Sequence, residues 1–144
     1  MKILVLNGPN INMLGIREPG IYGKNNFREL LDMLDETAKR EGIDIEQYQS
    51  NHEGSLVDKI QDSFGKVDGI VINPAAYTHT SVAILDALKS VSIPAVEVHI
   101  SDVDARESFR QISYPGMYCE KTIKGQGLDG YRQAILYLKG KYGA

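Results

Sequence analysis

The sequence has little of what cross-links a chain or anchors it in a membrane. Its 144 residues include one cysteine, Cys119, and no tryptophan. A single cysteine cannot form an internal disulfide, which favours a reducing compartment. No apolar stretch approaches the roughly 20 residues that span a bilayer, and the first residues lack the long apolar region of a signal peptide. We therefore expect a cytoplasmic protein without a membrane partner.

Charge is also sparse and nearly balanced. Charged residues make up 24% of the chain, the formal net charge is −3 and the pI is near 5.6. Because phosphate contacts need a basic patch, nucleic acid is not an expected partner. The hydrophobic fraction of 42% argues against disorder, and the length fits one domain, residues 1–144.

Histidine is scarce as well, with three residues, His52, His79 and His99. No pair of them has the helical or hairpin spacing that is typical of metal ligands. We therefore expect no metal site.

Apolar strands alternate with amphipathic helices along the whole chain. Apolar runs predict strands at 3–6, 43–49, 69–73, 95–99 and 119–123. Between them apolar residues recur at helical spacing; the first helix has Asn26 as a predicted N-cap and Gly42 as a predicted stop. Such alternation is typical of an α/β protein with a parallel sheet covered on both faces. Five strands favour the flavodoxin-like order 2-1-3-4-5, a three-layer sandwich with a ligand cleft at the carboxyl ends of its strands.

Short polar groups follow three of the predicted strands. Asn7 and Asn10 follow the first strand, Asn73 ends the third, and His99 and Ser101 follow the fourth. Each could simply form a turn. Because all three strand ends meet at one edge of the sheet, a binding cleft is the better interpretation of the set.

The loop after the first strand is long and carries Arg17 and Tyr22, and long loops in compact domains are often functional. A tyrosine acts as a base near neutrality only if its pKa falls from about 10, at a cost of roughly 4 kcal/mol. Arg17, Arg106 and Arg110 could provide that field. The alternatives stay open: Tyr22 could anchor the loop, and each arginine could be a solvated charge.

His99 ends a predicted buried strand, with Glu97 two residues earlier on the same face. A carboxylate there could fix the tautomer of the histidine and raise its pKa, as a general acid needs. Burying Glu97 in an apolar strand is costly without a partner, which favours a functional pair.

Residues 125–130, GQGLDG, match a dinucleotide-binding pattern, but no βαβ unit or ribose-binding acidic residue follows them. Close packing of the last helix is a better explanation of these glycines. Cys119 is expected to be a small buried side chain.

Three blocks of the chain together resemble one family, the type II 3-dehydroquinate dehydratases. The first is NGPNINMLG at 7–15 with REP at 17–19 and YG at 22–23; the second is NPAAYTHTS at 73–81; the third is EVHIS at 97–101 with ARE at 105–107 and FR at 109–110. The spacing agrees across all three, and the resemblance covers essentially the whole chain.

The resemblance implies conversion of 3-dehydroquinate to 3-dehydroshikimate and water by anti elimination through an enolate, without cofactor or metal. By motif position, Tyr22 would be the base, held as tyrosinate by Arg17 and Arg106. Asn10 would stabilise the enolate through a water, and His99, oriented by Glu97, would protonate the departing hydroxyl.

The family's substrate contacts carry over in the same way. Asn73 and the backbone amides of Ile100 and Ser101 would hold the substrate carboxylate, and His79 and Arg110 would contact ring hydroxyls. Asp86 matches a position that reaches a neighbouring subunit's site, and the family assembles as a dodecamer of four trimers.

The chain departs from the family pattern between Ser113 and Gly125, where it lacks the usual Ser-Pro step and is more polar. We expect this stretch to affect the last strand and the subunit packing, but not the chemistry. A non-catalytic flavodoxin-like domain that binds a polycarboxylate or a nucleotide is the alternative function.

Overall fold

The computed structural model describes residues 1–16 and 25–143, and within them a parallel sheet is flanked by helices on both faces. The strands are β1 (Lys2–Asn7), β2 (Asp44–Gln49), β3 (Gly69–Asn73), β4 (Ala95–His99) and β5 (Lys121–Lys124). The helices are α1 (Phe27–Glu41), α2 (Glu53–Asp62), α3 (Val82–Val91) and α4 (Asp129–Tyr142). Short 3₁₀ turns occupy several of the connections.

The five strands lie in the order β2-β1-β3-β4-β5, all parallel, which confirms the predicted topology. β1, β3 and β4 form the centre of the sheet and are almost fully buried. β1 and β3 pair in a register that sets Asn7 opposite Asn73 at their carboxyl ends. The strand-order reversal therefore lies where the ligand cleft is predicted.

Each face of the sheet carries its own apolar core. Ile3, Val5 and Val71 point to the α1 and α4 face, where they join Leu34 and Tyr131. The alternate residues of the same strands, among them Leu4 and Ile70, point to the α2 and α3 face, where they join Leu88 of α3. None of the helices in residues 1–16 and 25–143 is long and apolar enough to cross a membrane.

Local signals set the ends of α1. The side chain of Asn26 accepts a hydrogen bond from the Glu29 backbone N–H, and Gly42 ends the helix with φ of 65°, both as predicted. After β4 the chain forms two 3₁₀ turns, Val103–Ala105 and Ser108–Arg110. β5 lies two residues later than predicted at its start and remains at the sheet edge.

Candidate active site at the carboxyl edge of the sheet

A cleft opens at the carboxyl ends of β1, β3 and β4, the edge of an open parallel sheet at which ligands bind. Eight of the predicted site residues line it: Asn10, Asn73, His79, His99, Ile100, Ser101, Arg106 and Arg110. The sequence-based prediction of a cleft at this edge is therefore confirmed.

Two further predicted site residues, Glu97 and Asp86, do not line the cleft. Glu97 is buried behind His99 on β4. Asp86 lies on the exposed side of α3 and does not line this chain's cleft. Arg17 and Tyr22 fall outside the described residues.

The loops that follow β1 and β3 are packed against each other at the floor of the cleft. The Gly8 N–H donates to the Asn73 carbonyl at 2.8 Å, and a Cβ on Gly8 would lie 2.3 Å from the Pro74 carbonyl oxygen. Glycine is therefore required at position 8. Asn10 follows with φ of 70°, and its N–H donates to Asn51 Oδ1 at 3.0 Å.

His99 and Glu97 form a buried pair beside this floor. His99 Nε2 lies 3.3 Å from Glu97 Oε1, and the two side chains are 7% and 2% exposed. With Nε2 turned to the carboxylate, Nδ1 is the ring nitrogen left for a ligand in the cleft. A carboxylate that orients a histidine in this way is the arrangement a general acid needs.

Three side chains hold the Glu97 carboxylate. Ser113 Oγ donates a short hydrogen bond to Oε2, Thr122 Oγ1 donates to Oε1 at 3.2 Å, and His99 is the third. Burial acts to raise the pKa of Glu97, but these hydrogen bonds and the charge of His99 outweigh it, so the pKa lies below its ordinary value of 4.5. Glu97 is therefore ionised at neutral pH.

The stretch from Ser113 to Gly125 contacts the Glu97 carboxylate. Ser113 Oγ also accepts the Gly116 N–H at 3.0 Å, and a Cβ on Gly116 would lie 2.7 Å from that oxygen. The stretch that departs from the family pattern therefore reaches Glu97, and the expectation that it leaves the chemistry unaffected stays a prediction. No local signal in the sequence pointed to Ser113 or Thr122, because both are far from Glu97 along the chain.

Hydrogen bonds also hold two other cleft residues, His79 and Arg110. His79 Nδ1 lies 2.8 Å from the Ile112 carbonyl, so Nδ1–H donates there and Nε2 is left as an acceptor. Burial lowers the pKa of His79 below 6.5, against the opposing effect of that hydrogen bond. Arg110 Nε donates to Glu107 Oε2 at 2.6 Å, which keeps a guanidinium at the rim of the cleft.

The glycine-rich turn after β5 supports the residues that follow β4. The Gly125 N–H donates to the carbonyls of His99 and Ser101, and the Gly127 N–H donates to that of Ile100. Both glycines have positive φ, 76° and 60°. Gly130 allows α4 to pack closely, since a Cβ there would lie 3.3 Å from Val98 Cγ1. The GQGLDG stretch thus shapes the site without the βαβ context of a nucleotide loop.

The Cys119 thiol takes no part in the cleft. Burial raises the pKa of the Cys119 thiol above its ordinary value of 9.0, so the cysteine is not an activated nucleophile. Across residues 1–16 and 25–143, no group of three or more His, Cys, Asp or Glu side chains is arranged to hold a metal ion.

Fold and cleft together define an α/β domain with a cleft at its topological switch point. The family model described as "Dehydroquinase class II" matches residues 1–139, and the chain belongs to this family. It is 57% identical over 134 residues to the 3-dehydroquinate dehydratase of Endomicrobium trichonymphae, covering 93% of this chain and 94% of that protein.

Solved structures agree with this assignment. The crystal structure of the type II dehydroquinase from Butyrivibrio crossotus is 57% identical and superposes with a TM-score of 0.95, covering 96% of this chain and 97% of that one. The type II dehydroquinase from Propionibacterium acnes is 42% identical with a TM-score of 0.92, covering 96% of each chain.

Proposed function

We propose that this chain, a member of a hydro-lyase family, dehydrates 3-dehydroquinate to 3-dehydroshikimate and water by anti elimination through an enolate. The observation that carries the proposal is the buried Glu97–His99 pair facing a cleft that also holds Asn73 and Arg110. The names of the family and of its relatives support the same reaction.

The reaction begins with removal of the proton next to the ketone. Tyr22, as tyrosinate, takes this proton, and Arg17 and Arg106 hold the phenolate charge, since a nearby cation lowers the pKa of a tyrosine. The electron pair released from the C–H bond forms an enolate. Asn10 stabilises the enolate oxygen through an ordered water, which is electrostatic stabilisation of developing charge.

Collapse of the enolate then expels the hydroxyl group. His99 donates a proton to the departing oxygen, which leaves as water, and the ring keeps a double bond conjugated with the ketone. Glu97 supports this step because an ionised carboxylate beside Nε2 stabilises the protonated imidazole until the proton is transferred. No metal ion and no cofactor is required.

The remaining cleft residues bind and orient the substrate. Asn73 and the backbone amides of Ile100 and Ser101 bind the carboxylate, and His79 and Arg110 bind the ring hydroxyls. Nε2 of His79 is suited to accept a hydrogen bond from a ring hydroxyl because its Nδ1 is turned to the Ile112 carbonyl.

In the cell we infer that the protein, as one catalytic domain in the cytoplasm, performs the third step of the shikimate pathway, which leads to chorismate and the aromatic amino acids. We further infer a dodecamer of four trimers in which Asp86 reaches the site of a neighbouring subunit.

The test is incubation with 3-dehydroquinate while following ultraviolet absorbance, because the product contains a new conjugated enone. We expect turnover by the wild type. Absence of turnover together with tight binding of a nucleotide or polycarboxylate would instead favour a non-catalytic binding domain.

Two substitutions test the proposed acid and base. We expect Tyr22→Phe and His99→Ala each to lower kcat at least a hundredfold, the usual contribution of a positioned acid or base. Tyr142→Phe and His52→Ala are matched controls, because Tyr142 bonds Glu120 at the surface and His52 is exposed at the start of α2. Normal turnover by Tyr22→Phe would contradict the mechanism.

A further inference from the structure

The side chain of Asn73 is held at both ends of its amide. Its Oδ1 accepts the Ala75 N–H at 3.1 Å, and its Nδ2 donates to the Tyr131 hydroxyl at 2.9 Å. Since only the oxygen can accept from Ala75, this turn fixes which end of the amide faces Tyr131. One N–H of Nδ2 is then left for a ligand in the cleft that Asn73 lines.

Tyr131 reaches this position from α4 on the outer layer of the molecule. It is 0% exposed, and its hydroxyl donates to Asn7 Oδ1 at 2.6 Å. Asn7 and Asn73 are register partners on β1 and β3, so the tyrosine hydroxyl bridges two neighbouring strand ends. The bridge passes through the apolar core that α4 shares with the sheet.

The bridge has a fixed direction. Burial raises the pKa of Tyr131 well above 10.0, so the hydroxyl keeps its proton. That proton is donated to Asn7 Oδ1. The Tyr131 oxygen can therefore only accept a hydrogen bond from Asn73 Nδ2. Asn7 Nδ2 is buried without a hydrogen-bond partner among the described residues. The hydrogen bond that Asn7 Oδ1 accepts from Tyr131 therefore partly offsets the cost of burying this amide.

We propose that Tyr131 is a positioning residue for substrate binding: its hydroxyl holds the Asn73 amide in the orientation that offers one N–H to the substrate carboxylate. This inference rests on the proposed function. The carboxylate keeps its charge from substrate to product, so a contact to it contributes equally before and during the reaction. Loss of such a contact raises KM and leaves kcat nearly unchanged.

The test is Tyr131→Phe, which removes the hydroxyl and keeps the ring in the core. In the enone assay at 25 °C we expect KM to rise about five- to tenfold, the size of one buried hydrogen bond, with kcat within about twofold of wild type. In an Asn73→Ala background the same substitution should change KM less than about twofold, because the two residues act as one unit. Tyr137→Phe is the matched control: this tyrosine is on the same helix but bonds Glu120 at the surface, and its KM should match the wild type.

The outcomes distinguish failure of the proposed Tyr131 role from failure of the proposed function. Wild-type turnover with an unchanged KM in Tyr131→Phe, even with a lower melting temperature, would show that the hydroxyl is only structural and would overturn the inference alone. A fall in kcat at constant KM would also overturn it. A wild type without turnover would overturn the proposed function and this inference with it.

A second variant covers the case in which Tyr131→Phe does not fold. Asn7→Ala removes the acceptor that directs the hydroxyl and leaves Tyr131 in place. We expect a smaller rise in KM, about threefold, again with kcat within about twofold. An unchanged KM in this variant would overturn the inference equally.

Discussion

At the scale of single residues, Glu97 shows how a buried charge is made tolerable. Isolated burial of a carboxylate is costly enough that the group would normally stay protonated. Here the two oxygens accept from Ser113, Thr122 and His99, and these bonds favour the charged form. The contacts that stabilise the Glu97 anion therefore also orient His99.

The lowered pKa of Glu97 predicts a pH-dependent stability. Unfolded, the carboxyl titrates near 4.5, and folded it titrates lower. The stability that ionised Glu97 contributes is thus fully present above about pH 5 and is lost as the pH falls through the folded-state pKa of Glu97. In urea unfolding, we expect wild type to lose stability between pH 6 and pH 3 more steeply than Glu97→Gln. Parallel curves for the two proteins would contradict this.

Ser113 should affect catalysis without touching the substrate. Ser113→Ala removes a hydrogen bond that lowers the pKa of Glu97, so the carboxylate protonates at higher pH. We expect kcat to fall about tenfold, KM to stay within about twofold, and the acidic limb of the kcat profile to move to higher pH.

Ser55→Ala is the control for this variant, because Ser55 lies on α2 and does not line the cleft. A Ser113→Ala variant with an unmoved acidic limb would show that the serine does not act through Glu97.

At the scale of elements, the site depends on how closely the ends of β1 and β3 approach. The Gly8–Asn73 hydrogen bond joins the two loops, and the register of the strands brings Asn7 and Asn73 side by side. The backbone of one loop occupies the space that a side chain at position 8 would need.

Gly8→Ala should therefore destabilise the protein by about 2–4 kcal/mol, in the range of severe overpacking. The matched control is Gly54→Ala on α2, where a Cβ meets nothing within 4 Å; there alanine should stabilise the helix by about 0.5–1 kcal/mol. Thermal unfolding of both variants measures the contrast. Equal melting temperatures would show that the Gly8 loop can move aside.

Much of the arrangement of strands and helices could be predicted from the sequence, because strands and helix ends are encoded locally. The buried runs of β3 and β4 and the Asn26 cap of α1 need only their own neighbours. The bonds of Tyr131 to Asn73 and Asn7 span 58 and 124 residues, and those of Glu97 to Ser113 and Thr122 span 16 and 25. Such contacts exist only after packing, and no periodicity marks them in advance.

At the scale of the whole molecule, Asp86 is the site residue whose proposed role requires a second copy. It lies on the exposed side of α3, away from the cleft of its own chain. A closed trimer would repeat one interface around its axis, so that each subunit supplies one Asp86 and receives one.

Subunit mixing tests this arrangement. Asp86→Ala alone should lower activity about tenfold, the size of one lost contact, and Tyr22→Phe alone should be inactive. After equal coexpression, about one quarter of sites combine an intact Tyr22 with an intact Asp86 from the neighbour. We expect about a quarter of wild-type activity; about one twentieth, the average of the separate variants, would mean that Asp86 does not cross between subunits.

The turn at Gly125 to Gly127 has a consequence for which ligands can approach. Three successive carbonyl oxygens, those of His99, Ile100 and Ser101, are turned towards its N–H groups. An anion entering the cleft therefore does not meet the full partial negative charges of these three carbonyls. Because these contacts are made by backbone alone, a side-chain substitution in the cleft would leave them in place.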